Sequence, residues 1–278
     1  MNNQSILKFI AGDQPILNVN HAILSAPVRH IFMIAIVWYI HQQIKNHHLN
    51  ILEVGSWMGA STLSWAQGLR DYNHATGTIS CIDAWQPFFN RATHQKDVYT
   101  QMELALSSDI AYQLYLHNIR TLPSTITCHH FRGKSENILP LLREKYFDII
   151  FIDSDHTYQA VLNDIRCSFP LIKNKGILCG DDLNLQLSQV DHEYALKHAD
   201  QDFIPDPKTK RNYHPGVTLA VNELLGNVSS WGGFWAMQKY NDSWQKISLK
   251  GMPIHYPNHF PEDALKKAEA HLKDIELY

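Results

Sequence analysis

The period of the apolar positions changes along the chain, and the change is clearest between Phe147 and Asp182. Two short apolar runs, Ile149 to Ile152 and Gly176 to Leu178, each end in acids. Between them Tyr158, Val161, Leu162, Ile165 and Phe169 recur at helical spacing. The pattern predicts strand, helix, strand. A right-handed crossover makes the two strands parallel neighbours, so Asp153 and Asp155 after one and Asp181 and Asp182 after the other emerge on the same edge of the sheet. Open parallel sheets bind ligands at that edge.

The same reading extends in both directions. Residues 1–48 predict a leader and one long helix starting near Pro27, a residue suited to a first helical turn. An apolar strand from Asn50 runs into a glycine turn and a helix from Ser61, and a second strand, Thr78 onward, ends in Asp83. The polar, aromatic-containing stretch from Gln86 to Arg120 shows helical spacing in Met102, Leu104, Ala111, Leu114 and Tyr115. It predicts either a lid or substrate wall, or a helical pair covering the sheet. A third strand, Ile126 to Phe131, precedes a helix near Ser135. After the central stretch come a helix near Asp191 to His198, a loop with Lys208, Lys210 and Arg211 that reads as solvated, and a helix closed by Gly226. Trp231 to Tyr240 and Trp244 to Leu249 alternate around Asn241-Asp242-Ser243 as a hairpin does, and a tail helix runs from about Glu262 to Ile275. The expected fold is α/β, with a Rossmann-like, seven-stranded, mostly parallel sheet, an antiparallel C-terminal hairpin and helices on both faces. The expected divisions are a helical cap at 1–48, a main domain at 49–250 with an insertion at about 86–122, and a tail at 251–278.

Composition narrows the function classes. A hydrophobic share of 45%, a charged share of 18% and a net charge of -3 suit a folded domain and give no electrostatic reason to expect nucleic acid. Cys81, Cys128, Cys167 and Cys179 show no CxxC spacing and suit reduced thiols of a cytoplasmic protein. The N-terminus has no basic region followed by a long apolar run, so no signal peptide is expected. The apolar segment Ile31 to Ile40 is too short for a membrane span, which needs about 20 residues. It reads as a helix covered by the protein or by a second subunit, and is where a homo-oligomer contact is expected. The His47-His48 and His129-His130 doublets read as solvated or strand-end histidines.

Candidate chemistry starts with the converging acids. Two carboxylates 4 Å apart repel by about 4 kcal/mol at an effective dielectric of about 20. Several at one edge therefore call for a bound cation, a shared proton or an arginine, of which a cation is preferred here; helix-cap and turn roles are the alternative. Upstream, NILEVGSWMGAS places Glu53 before Gly55 and Gly59 and Ser61 after them. The spacing is not G-x-G-x-x-G, and a carboxylate two residues before the first glycine suits an ammonium group better than a pyrophosphate. Asp83 ends the next strand at the same sheet edge. Trp85, two residues on, reads equally as a contact at the mouth of a site and as core.

Glu53-x-Gly55-x-x-x-Gly59-x-Ser61 resembles the first motif of class I S-adenosylmethionine-dependent methyltransferases. That resemblance covers roughly Asn50 to Leu249. It implies S-adenosylmethionine as cofactor, held by Glu53, Gly55, Ser56, Gly59, Ser61, Asp83 on the ribose and Ser135 near the adenine; Ser135 also reads as a helix N-cap. Asp153, Asp181 and Asp182 look like the metal ligands of divalent-metal-dependent O-methyltransferases, with Mg²⁺ suited to such carboxylate oxygens. IDSDHTY followed by GILCGDD is closest to the sugar-modifying, macrocin and mycinamicin type branch. The match makes Asp155 the first candidate for the catalytic base and His156 the second. Ser154 departs from the glycine more common there. The implied acceptor is a hydroxyl of a small molecule, a sugar or polyol, with neither nucleic acid nor membrane as partner. Two other readings stand beside it: an NAD or nucleotide enzyme, and a non-catalytic binding protein that keeps the fold. Phe88, Phe89, Trp231, Trp235 and Tyr213 could line a stacking pocket or belong to the core.

Overall fold

The computed structural model describes residues 12, 14–44, 48–88 and 97–277. At its centre lie β1 (Leu49–Val54), β2 (Gly77–Asp83), β3 (Ile126–Arg132), β4 (Phe147–Ile152) and β5 (Ile172–Gly180), side by side in the order β3-β2-β1-β4-β5 and all parallel. Every residue of β1 and β4 is buried. That is why both read as unbroken apolar runs, since a central parallel strand is covered on two faces. Ile51, Ile79, Ile149, Phe151 and Ile177 face one core; Leu52, Val54, Ile82, Ile150 and Leu178 face the other.

The first core is covered by α1 (Arg29–Gln43), α2 (Ala60–Tyr72), the insertion helices α3 (Asp97–Ser107) and α4 (Ile110–Ile119), and a C-terminal helix. On the second face lie α5 (Ser135–Ile138), α6 (Tyr158–Ser168) and α8 (Pro215–Leu225), which follows the short α7 (His192–Lys197). The small hairpin of β6 (Ile204–Pro205) and β7 (Asn212–Tyr213) stands apart from the main sheet. Then β8 (Ser229–Trp231), β9 (Phe234–Tyr240) and β10 (Ser243–Lys246) complete the main sheet, with β9 antiparallel to β5 and paired on its other side with β8 and β10. The C-terminal helix is α9 (Glu262–Leu272). The mostly parallel α/β architecture with its antiparallel hairpin is thus the expected one.

Several expectations change in detail. The first helix starts at Arg29, with Val28 rather than Pro27 at its cap. Its apolar residues are buried by the chain itself: Phe32 packs against Trp231 and Phe234, and Val37 fits against Gly68 of α2, where a Cβ would meet it at 2.7 Å. Cover by the chain itself thus accounts for the buried positions 31–37 and 40, while Trp38 and Tyr39 stay partly exposed. Leu104 is not a core position but 68% exposed, because α3 turns Leu106 inward instead. Lys134, not Ser135, caps α5. Trp85, Trp231, Trp235 and Tyr213 are core residues, whereas Phe88 is exposed. Phe89, the His47 ring and residues 1–11 lie outside the described residues.

Candidate active site

The carboxyl ends of β1, β2, β4 and β5 open onto a cavity of about 640 Å³. Of the residues singled out from sequence, Gly55, Ser56, Ser61, Asp83, Ser135, Asp153, Asp155, His156 and Asp182 line it; Glu53, Gly59 and Asp181 do not. The insertion contributes Phe88, Tyr99 and Met102, and the segment before α1 contributes Leu24 and Ser25.

Glu53 is fully buried beneath the glycine loop, where it accepts hydrogen bonds from Ser56 Oγ at 2.8 Å and from the Thr62 hydroxyl. Burial holds its carboxyl above the ordinary range against the pull of those hydroxyls. It braces the loop onto α2 rather than facing the cavity. Gly55 is required by the close approach of two chain segments: its φ is +88° and a Cβ would come within 1.8 Å of the Asp153 carbonyl. Asp83 fastens the same loop from the other side. Its carboxylate accepts from the N–H groups of Ser56 (3.0 Å), Trp57 (2.9 Å) and Trp85 (2.7 Å). A carboxylate has about four acceptor sites, so roughly one remains for a ligand, rather than the two that a pair of ribose hydroxyls would use. Burial pushes Asp83 upward despite these donors.

The acids after β4 and β5 do converge, and an arginine stands among them. Arg29, at the start of α1, places Nη1 2.8 Å from Asp181 Oδ1 and 2.6 Å from Asp182 Oδ1, while its Nε donates to the Gly232 carbonyl at 2.9 Å. Gly233 makes room for it, since a Cβ there would come within 2.3 Å of Arg29 Nη2. His156 approaches from the turn after β4, with Nε2 3.0 Å from Asp182 Oδ2 and Nδ1 2.6 Å from Asp202 Oδ1. Although burial disfavours its charge, Asp182, Asp153 and Asp202 hold the imidazole well above its ordinary pKa. His214, just before α8, reaches the same two acids at 3.0 Å (Asp202) and 3.4 Å (Asp182). Against the cost of burial, His214, Arg29 and His156 keep Asp182 well below the carboxylate range, and the two histidines do the same for Asp202. Burial and the neighbouring acids push Asp181 and Asp153 upward.

Sequence reading missed Arg29, Asp202, His214 and Tyr99, whose hydroxyl donates to Asp202. A signal existed for one of them: His214-Pro215-Gly216 marks a helix start, and Gly216 lets that start press against the His156–Tyr158 backbone, with a Cβ 2.3 Å from the His156 carbonyl. Ser154 also finds its role, as its hydroxyl donates to Asp164 of α6 at 2.6 Å and ties down the loop that carries Asp153 and Asp155. Asp155 accepts from the Thr157 N–H at 2.8 Å and still faces the cavity.

The all-carboxylate metal set is only partly suited to Mg²⁺. One oxygen from each of Asp153, Asp181 and Asp182 lies within 4.8 Å of the others, and Asp181 Oδ2 is buried without a partner. Yet Asp181 has no exposed side-chain surface, and Arg29 already supplies positive charge to both aspartates. Mg²⁺ keeps several of its waters, and the space beside Asp181 is a cavity of only about 10 Å³. Of the cation, shared proton and arginine that the sequence allowed, the arginine is present.

Residues 52–183 match the family model described as "Methyltransferase domain". The match begins inside β1 and ends just past β5, and it contains the glycine loop, Asp83, Ser135 and the acids from Asp153 to Asp182. Over that span, somewhat under half of the chain, the sequence is thus similar to a methyltransferase domain. No curated protein matches it. Among solved structures, the O-methyltransferase NovP is 13% identical, with a TM-score of 0.49 and coverage of 77% of this chain and 80% of its own. An O-methyltransferase from Bacillus cereus in complex with SAH is 16% identical (TM-score 0.40, coverage 84% and 86%). The TDP-rhamnose 3'-O-methyltransferase CalS11 of calicheamicin biosynthesis is 11% identical (TM-score 0.42, coverage 87% and 88%).

Proposed function

We propose that the chain transfers a methyl group from S-adenosylmethionine to a hydroxyl of a small molecule, a sugar or polyol. The observation that carries the reading is the charge of the cavity wall. Among the described residues, Asp83, Glu136, Asp153, Asp155, Asp182, Asp200 and Asp202 line it, against Arg29 and Lys134 as the lysines and arginines. Such a wall attracts a sulfonium and an ammonium and repels the phosphates of a dinucleotide, so it disfavours the NAD reading. The volume of about 640 Å³ lies within the usual range of about 300–1,000 Å³ for ligand sites.

When bound, S-adenosylmethionine supplies an electrophilic methyl group on a sulfonium. The chain's part is to hold the acceptor oxygen in line with it, and positioning of this kind is worth about 7–11 kcal/mol. Asp155 accepts the proton that the hydroxyl loses. His156 is the poorer base because both ring nitrogens are engaged by carboxylates and its charged form is favoured. Asp153, Asp182 and Tyr99 offer acceptor and donor groups to the remaining hydroxyls of a polyol.

Calorimetric titration of S-adenosylmethionine, S-adenosylhomocysteine and NAD⁺ tests this reading. Binding of the first two at micromolar concentration, weakened at least about tenfold (about 1.4 kcal/mol) by Asp83→Asn, is the expected result. Tighter binding of NAD⁺, or no saturable binding of either sulfur ligand at millimolar concentration, overturns it.

A further inference from the structure

Beside Asp182 the cavity wall carries a constellation that the all-carboxylate set does not anticipate. His156 and His214 come from different elements, and their rings lie 4.6 Å apart at an interplanar angle of 72°. Each presents Nδ1 to the same oxygen, Asp202 Oδ1, at 2.6 Å and 3.0 Å. An ionised carboxylate only accepts, so both Nδ1 atoms carry hydrogen and Asp202 fixes the tautomer of both rings. The Tyr99 hydroxyl donates to the other oxygen of Asp202.

With Nδ1–H fixed, Nε2 is the atom each ring offers a metal once its own proton is lost, and both Nε2 atoms meet Asp182. His156 Nε2 is 3.0 Å from Asp182 Oδ2, and His214 Nε2 is 3.4 Å from Oδ1. Nitrogen and oxygen donors bound to one ion at about 2.0–2.1 Å stand about 2.8–3.0 Å apart in octahedral and about 3.3–3.4 Å apart in tetrahedral geometry. One donor from each of the three residues lies within 4.8 Å of the others, and all three residues line the cavity.

We propose that His156, His214 and Asp182 bind a divalent first-row transition ion, with Asp202 as the carboxylate that orients both imidazoles. Two imidazoles and one carboxylate suit zinc, cobalt, iron(II) or manganese and not Mg²⁺. A ligating histidine that gives its other N–H to a carboxylate is the usual arrangement. Three protein ligands leave coordination positions open toward the cavity, where water or an acceptor oxygen fits. The ion displaces any proton held on either Nε2. This site does not rest on the methyl-transfer reading, because metal binding is measured without turnover.

The test is titration of the purified full-length protein with Co²⁺ in millimolar Mg²⁺, followed by visible absorption. One equivalent is expected to bind saturably, with bands intensified and displaced from those of aqueous Co²⁺. His214→Gln should weaken binding by more than about 100-fold, and Asp202→Asn by about 10–100-fold. Asp153→Asn should change it by less than about twofold, with folding of each variant verified by circular dichroism. An aqueous-type spectrum at saturation, displacement by Mg²⁺, or loss of affinity in Asp153→Asn but not in His214→Gln would each place the ion on carboxylates and overturn the proposal. Should His214→Gln fail to fold, the wild-type spectrum and Asp202→Asn decide.

Discussion

Arg29 does at residue scale what a bound cation was expected to do. Without its guanidinium, Asp181 and Asp182 would face each other in a buried setting with one less positive charge between them. Removing one partner of a buried ionic cluster costs about 3–5 kcal/mol, because the remaining charges stay desolvated and unmatched. Arg29→Gln is therefore expected to lower the free energy of unfolding by that amount in urea denaturation; a loss below about 1 kcal/mol would mean that the acids are neutralised some other way. The residue was invisible to sequence reading for a physical reason. It lies 153 positions from Asp182, at the end of an apolar run where a single arginine reads as a solvated flank. Side chains that meet only through tertiary structure leave no spacing to detect. Glu53, by contrast, was legible as a chemically special residue, yet its carboxylate serves the loop's hydroxyls and not the cavity.

At the scale of elements, the helical layer formed by α1, α2 and α9 holds a buried histidine, His30, and a half-buried one, His259, neither paired with an acid among the described residues. His30 sits between Ser25 Oγ and Ser64 Oγ, at 2.8 Å from each, with its ring against Phe260 at 4.6 Å. His259, on the segment leading into α9, meets the Ala60 carbonyl at 3.1 Å. Burial pushes His30 well below its ordinary pKa and His259 down to about 4. An unfolded histidine titrates near 6.5, so between roughly pH 6.5 and 4 the unfolded chain binds protons that the folded chain refuses. Stability therefore falls as pH falls through that window, and His259 alone accounts for about 3 kcal/mol once pH is below 4. Thermal unfolding from pH 7 to pH 4.5 is expected to show a smaller drop in Tm for His259→Gln than for the wild type; parallel curves would show that this ring is not the group responsible. The strands and helices themselves were largely readable, because the fully buried strands form continuous apolar runs and α6 keeps a helical period. What escaped were the short pieces. β8 was merged with β9, although Gly232 and Gly233, both at positive φ, mark the turn between them. The β6–β7 hairpin is two residues long on each side, too short for any period to show.

For the whole molecule, the matched span 52–183 is not a self-sufficient unit. β9, which covers the flank of β5, comes from after it, and α1, which fills the space against α2, Trp231 and Phe234, comes from before it. Ile31, Phe32, Met33, Ile34, Ile36, Val37 and Ile40 are each at most 1% exposed. Burying one such side chain is worth about 1.5–3 kcal/mol, so the helix carries about 10–20 kcal/mol of apolar burial before conformational entropy is subtracted. That is comparable to or larger than the net stability of a whole domain, about 5–15 kcal/mol. A fragment of residues 48–278 also loses Arg29 from the acid cluster and the Leu24–Ser25 wall from the cavity. It is expected to show no cooperative unfolding transition in urea, whereas the full chain shows one. A cooperative transition near the full chain's midpoint would mean that α1 is an appendage resting on a complete core. The burial of its residues from several sides argues that the core closes only when the helix is in place.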